Sequence, residues 1–183
     1  MIIIHDFKID IEEYVSRGKD NDFPVISGCP CCSARRTLHR HGFYERNGLS
    51  KEKEYRLVIC RLRCPSCDQT FSIIPDFLLP YYQHTLTSVI SGITKSLASK
   101  HAKGTFSRQL LSFYRQRFLA SLTWIHSFFA DLGGILSIAE KEIDKAYLYL
   151  DKIKEFGPSR FLRKSFNHLS GYFMCKFIQW KIM

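Results

Sequence analysis

Two short cysteine motifs carry the clearest chemistry in this chain. Cys29-Pro-Cys-Cys32 and Cys64-Pro-Ser-Cys67 each place two cysteines three positions apart, with proline after the first, and 31 residues separate them. A C-x-x-C tetrapeptide closes as a knuckle: its two sulfurs lie on one side and its backbone amides point at the thiolates. Two such knuckles supply four sulfurs at about 2.3 Å from a metal, the tetrahedral shell of structural zinc. Four thiolates leave no open position, so an ion held this way stabilises a fold and performs no reaction. The expected ligands are Cys29, Cys32, Cys64 and Cys67, and the expected cofactor is one structural zinc ion. On spacing alone Cys31 competes with Cys32, although C-x-C makes a poorer knuckle. Cys60 lies on the run into the second pair and reads as a small core residue. His39 and His41 have no knuckle partner and read as surface or DNA-facing side chains. Cys175 stands apart and reads as buried.

Six of the seven cysteines fall between Cys29 and Cys67. An odd, clustered set suits a metal site in a reducing compartment better than disulfides. Met1 to Ile4 is apolar, but His5, Asp6 and Lys8 interrupt it too early for a secretory core, so the cytoplasm is the expected location. The run Phe118 to Ala139 is long enough to cross a bilayer, yet it holds His126, Asp131 and Gly133-Gly134. A charge at bilayer depth costs at least ~2.5 kcal/mol. Buried helices broken at the glycines explain the run better, and no membrane partner is expected.

The cysteine motifs need elements to position them. Thr37 to His41 and Tyr55 to Arg63 alternate as strands, and Asn47-Gly48 is the expected turn between them. Residues 25 to 75 therefore read as a small β zinc ribbon. Residues 1 to 24 read as a short leader that begins as a strand-like apolar run, with the turn-rich Arg17 to Pro24 as a linker. After the connector Asp76 to Tyr82 the pattern becomes helical. One helix is expected from Thr85 to about Lys100, with a break at Gly104. A second, capped by Ser107, is expected to run to about Leu132 on the stripe Leu110, Leu111, Tyr114, Phe118, Leu122, Ile125 and Phe129. A third spans Ile135 to Phe156 and stops at Gly157-Pro158. The basic, aromatic tail from Ser159 holds no acidic residue. The expected class is α+β: an N-terminal ribbon, a helix-turn-helix-like part over 76 to 132, and a helical extension over 133 to 183.

The charge is strongly basic, with a formal net +10 in 183 residues and an isoelectric point near 9.3. That favours an anionic partner. Cys29 to Cys67 holds nine basic and three acidic residues, and Arg61 and Arg63 alternate onto one strand face. No acidic residue occurs from Phe77 to Ala130, a span containing Lys95, Lys100, Lys103, Arg108, Arg115 and Arg117. On the Ser107 helix, Arg108, Gln109, Ser112, Arg115 and Gln116 lie off the apolar stripe. Arginine pairs with guanine and glutamine with adenine in the major groove, so this helix suits recognition. The expected partner is double-stranded DNA, touched by Arg61, Arg63, Lys100, Lys103, Arg108, Gln109, Ser112, Arg115 and Gln116.

A resemblance carries the same reading further. Cys29-Pro-Cys-Cys32, His41-Gly-Phe-Tyr-Glu-Arg46 and Arg61-Leu-Arg-Cys-Pro-Ser-Cys67 through Thr70-Phe71-Ser72 and Pro75 resemble the transposase-like zinc ribbon. That module opens many bacterial insertion-sequence transposases and related regulators. With Phe77-Leu-Leu-Pro-Tyr81 and Phe113-Tyr-Arg-Gln-Arg-Phe118, the span 25 to about 130 is similar to a family of bacterial proteins that join this ribbon to a helix-turn-helix. The resemblance implies DNA binding linked to mobile elements.

Transposase catalysis is not expected. It needs acidic residues holding two metal ions, and the acid-free stretch lies where that domain would begin. The later acids Asp131, Glu140, Glu142, Asp144, Asp151 and Glu155 mix with lysines as a solvated face. The function expected is therefore non-enzymatic DNA binding, as an accessory factor or transcriptional regulator, with no small-molecule substrate. The alternative is a protein-interaction or assembly module, with the aromatic Tyr114 to Phe129 helix as a homodimer face. RNA is a third partner that the basic ribbon allows.

Overall fold

The computed structural model describes residues 1–98, 106–134, 141–169 and 171–175. It is an α+β protein, with a four-stranded sheet and six helices among the described residues. The chain divides into two compact units. One comprises Met1–Leu78 with Tyr82–Thr85, and the other Leu79–Tyr81 with Leu86–Met183. The sequence instead suggested boundaries at 24, 75 and 132.

The first unit is the sheet, in the order β1 (Ile2–His5), β4 (Thr70–Pro75), β3 (Glu54–Arg63), β2 (His39–Leu49). β2, β3 and β4 form an antiparallel meander, and β1 adds to β4 in parallel, Ile3 opposite Ile73. Residues 1 to 24 are thus not a leader. After β1, helix α1 (Ile11–Arg17) is capped by Asp10, whose carboxylate accepts from the Glu13 amide at 2.8 Å. Its Tyr14 is fully buried, and the Tyr14 hydroxyl donates to the Val58 carbonyl at 2.9 Å. The sequence signal for a linker was the turn-rich run after Arg17. That run folds back: Asn21 Nδ2 donates to the Tyr14 and Gly18 carbonyls and closes the end of α1.

The sheet is covered on both faces, by different groups at its two ends. Tyr55, Leu57, Ile59 and Ile74 pack under α1 with Tyr14 and Leu78. Cys60, Leu62, Cys64, Phe71 and Ile73 pack on the opposite face against Phe23 and Leu38. Buried positions on β3 therefore change phase between Ile59 and Cys60, as period two requires when the covered face switches. Beyond the switch, Arg61 and Arg63 are left exposed on the face that carries Ile59.

Asn47-Gly48 does not make the hairpin turn. Both residues lie in β2, and Gly48 pairs with Tyr55. The turn is Ser50 to Lys53, where the Ser50 hydroxyl accepts from the amides of Glu52 and Lys53 at 3.1 and 2.9 Å. Gly48 serves packing: a Cβ there would stand 2.5 Å from a Leu57 methyl.

The second unit contains α2 (Leu86–Ala98), α3 (Arg108–Ala120), α4 (Leu122–Asp131), α5 (Glu142–Phe156) and α6 (Pro158–Leu169). Ser107 caps α3 as expected, accepting from the Leu110 amide at 3.2 Å. Ser107→Ala should lower thermal stability by about 1 kcal/mol, the usual worth of such a cap, in a melting curve. The helix does not run on to Leu132. It breaks at Ser121, whose hydroxyl donates to the Arg117 carbonyl at 2.8 Å, before α4 begins. The apolar period survives the break because Ser121 keeps a near-helical backbone, so periodicity alone could not reveal it. The expected start of the third helix at Ile135 falls outside the described residues. Its end at Phe156 stands, closed by Gly157 at φ 92°.

Tyr114, Phe118, Phe128 and Phe129 are buried, and Phe128 makes edge contacts with Phe156 and Phe161. These rings fill the core of the helical unit, so the Tyr114 to Phe129 stretch does not present them as a dimer face. No described helix is long and apolar enough to cross a membrane.

Candidate metal centre and nucleic-acid face

The two cysteine motifs fold into near-identical turns. In each, the first cysteine accepts from the residue four positions on: Ser33 N to Cys29 O and Asp68 N to Cys64 O, both 3.0 Å. In each, its amide donates five positions on, to Ala34 O at 3.0 Å and to Gln69 O at 2.9 Å. In each, the amide two positions on points at its sulfur, Cys31 N to Cys29 Sγ at 3.4 Å and Ser66 N to Cys64 Sγ at 3.3 Å. The turns close on Ser33 and Asp68 with φ of 58° and 59°. Non-glycine residues adopt this left-handed conformation uncommonly. Here the flanking hydrogen bonds of each knuckle hold it.

The β2–β3 hairpin and the start of β4 bring the two turns together. Cys29 Sγ lies 3.7 Å from Cys67 Sγ, and Cys32 Sγ 3.8 Å from Cys64 Sγ. All four sulfurs lie within 4.8 Å of one another. Metal–sulfur bonds of about 2.3 Å in a tetrahedron put sulfurs about 3.8 Å apart, so the donor set fits one metal ion. Cys31 is exposed and outside the group, which leaves Cys32 as the second donor of its pair. Cys60 is fully buried in the sheet core, as expected, and burial pushes its thiol up. Cys175 is half-buried, its thiol directed at the Pro80 carbonyl. His39 and His41 are exposed.

The electrostatics favour a cation among the four sulfurs. At Cys64 burial raises the thiol, but the amides of Cys67 and Ser66 outweigh it and bring the group down to about 6. At Cys67 the Gln69 amide favours the thiolate, yet burial and three neighbouring sulfurs push it up to about 12. Crowding four thiolates together therefore needs positive charge at their centre. Among the described residues this is the group of histidine, cysteine or acidic side chains that can hold a metal.

Arg61 and Arg63 project from one face of β3 and are exposed. Arg61 lies 4.9 Å above the Tyr44 ring, and Arg63 pairs with Asp68 at 3.1 Å. That second pair is exposed at both ends, so it is weak and exchangeable. It links β3 to the second knuckle. Arg56 pairs with Glu45, also at 3.1 Å.

On α3 the buried residues are Leu111, Tyr114 and Phe118. Arg108, Gln109, Ser112 and Gln116 are exposed on the opposite side, and Arg115 is half-buried beside them. Thus five of the expected contact residues share one helix face. Lys100 and Lys103 lie outside the described residues. The sequence missed Phe113, which is 42% exposed with Arg117 at 5.2 Å over its ring. Its signal was an aromatic residue standing off the apolar stripe. The described acids of α4 and α5, Asp131, Glu142, Asp144, Asp151 and Glu155, are all exposed. Two of them pair with lysines, Asp151 with Lys154 and Glu155 with Lys152.

No curated protein and no solved structure matches this chain. Residues 29–110 match the family model described as Domain of unknown function (DUF6431), a span that runs from the first cysteine of the metal centre into the first turn of α3.

Proposed function

We propose that this chain is a non-enzymatic, zinc-dependent DNA-binding protein, serving as a transposase-related accessory factor or a transcriptional regulator. The observation that carries the reading is the outer face of α3. Five polar side chains, two of them arginines, are displayed there on a helix that contains no acid. Arginine and glutamine at a helix surface match the hydrogen-bonding edges of guanine and adenine in the major groove. Arg61 and Arg63 on β3 supply phosphate contacts.

Zinc is the metal this reading assigns to Cys29, Cys32, Cys64 and Cys67. An all-thiolate, closed tetrahedral shell suits it, and bound there it stiffens the sheet that carries the two arginines. The exposed, lysine-paired acids of α5 support a binding role over two-metal nucleic-acid cleavage, which needs converging carboxylates.

The zinc-loaded chain should retard duplex DNA in a salt-dependent way. With six or more phosphate contacts, affinity should fall at least about a thousandfold between 50 and 200 mM salt. Arg115→Ala should weaken binding to all duplexes alike and lower the salt slope, whereas Arg108→Ala should relax base preference. Fluorescence anisotropy over a salt series separates the two. If no duplex is bound at low salt, the reading fails.

A further inference from the structure

The exposed face of α3 is ordered into two rows. Arg108, Ser112 and Arg115 follow one another at i, i+4 and i+7, and Gln109, Phe113 and Gln116 do the same beside them. Side chains so spaced stack along one line of a helix. The first row carries the charge. The second carries none, and its centre is an aromatic ring. On its far side Arg117 holds its guanidinium 5.2 Å over that ring. An uncharged strip thus runs between cationic margins, for a length of about 10 Å at 1.5 Å per residue. That is the rise of about three base pairs.

We infer that this strip reads an A·T pair through its methyl group, with Phe113 against the thymine C5-methyl and Gln109 or Gln116 on adenine. This deepens the DNA-binding reading above and rests on it. An A·T pair is the base pair that offers both a methyl group and a bidentate site for an amide side chain in the major groove. The strip offers the complement of both within one row. Arg115 and Arg117 on its margins complement the phosphates that border the groove. A protein partner is disfavoured by the small apolar area of this face. Docking faces centre on contiguous apolar area, and here one large ring stands among glutamines and arginines. Phe113 is the large apolar side chain that α3 leaves exposed, while Leu111, Tyr114 and Phe118 are buried.

The test begins with the zinc-loaded full chain and a duplex selected from a random pool. Each thymine of the selected site is then replaced by deoxyuridine, which removes the methyl group and nothing else. Affinity should fall about fourfold at one or two thymines, the worth of one buried methyl group. Phe113→Ala should lose about as much on the parent duplex and then ignore the uridine substitution, since the two changes delete one contact. Phe113→Leu should keep part of the sensitivity. Unchanged thermal melting of both variants verifies that an exposed side chain was altered without loss of fold. Equal binding of every deoxyuridine duplex overturns the inference and leaves DNA binding standing. So does a Phe113→Ala protein that still discriminates thymine from uridine. A protein that retains no duplex overturns both readings together.

Discussion

Cys64→Ser should cost the chain its bound metal and the fold of its sheet unit. Cys64 is fully buried, its sulfur lies 3.8 Å from that of Cys32, and the amides of Cys67 and Ser66 help bring its thiol down to about 6. Zinc contributes on the order of 10 kcal/mol to folding in small thiolate sites. Whole domains are stable by only about 5–15 kcal/mol. Losing the whole metal term therefore removes about as much free energy as holds a domain folded. Metal analysis of the purified chain should give one zinc per molecule for the wild type and far less for the variant. Chelation of the wild type should abolish the same tertiary circular-dichroism signal. Cys31→Ser is the control, because its side chain is exposed and outside the sulfur group. If Cys31→Ser loses the metal and Cys32→Ser keeps it, the assignment of the second ligand is wrong.

Tyr14→Ala should destabilise the sheet unit by about 3–5 kcal/mol, the range for removing a fully buried large aromatic side chain. The ring makes edge contacts with Phe7 and Phe77, at centroid distances of 4.9 and 5.8 Å, and sits under β3. Tyr14→Phe should cost about 1 kcal/mol through the hydrogen bond to Val58. Denaturant titration of the zinc-loaded protein measures both. The experiment discriminates sharply: a detached leader would show no shift for either substitution, and such a result would contradict the placement of α1 on the sheet.

Legibility followed range. The four-cysteine cluster was readable because each half is local. A knuckle is a turn of a few residues whose hydrogen bonds run from one motif residue to the next, so C-P-x-C spacing encodes it directly. The choice of Cys32 over Cys31 followed from the same short-range geometry, once the second knuckle faced the first. The α3 cap was equally local, a serine hydroxyl on an amide three positions along. The alternation that puts Arg61 and Arg63 on one face is a property of any extended strand.

Other features depended on partners far along the chain. The strand-like apolar run at the start of the chain found its partner only in the fold, on the parallel edge of β4 about seventy residues away. Gly48 looked like a turn residue, and its role came from Leu57 on the facing strand. The periodicity of Leu122 and Ile125 continued that of Phe118 across a break at Ser121, where the backbone stays near-helical. The Tyr114 to Phe129 rings read as a surface for a second copy, but Tyr114, Phe118, Phe128 and Phe129 are buried in the helical unit. The α3 face shows both levels at once. Sequence periodicity separated its polar residues from the apolar stripe, since one helix turn settles that. Burial of Leu111, Tyr114 and Phe118 against neighbouring helices decided which face stays in solvent, and with it that Phe113 stands beside the arginines. Chemistry set by hydrogen bonds within a few residues is written in the chain itself. Chemistry set by which surfaces meet exists only when the chain has folded.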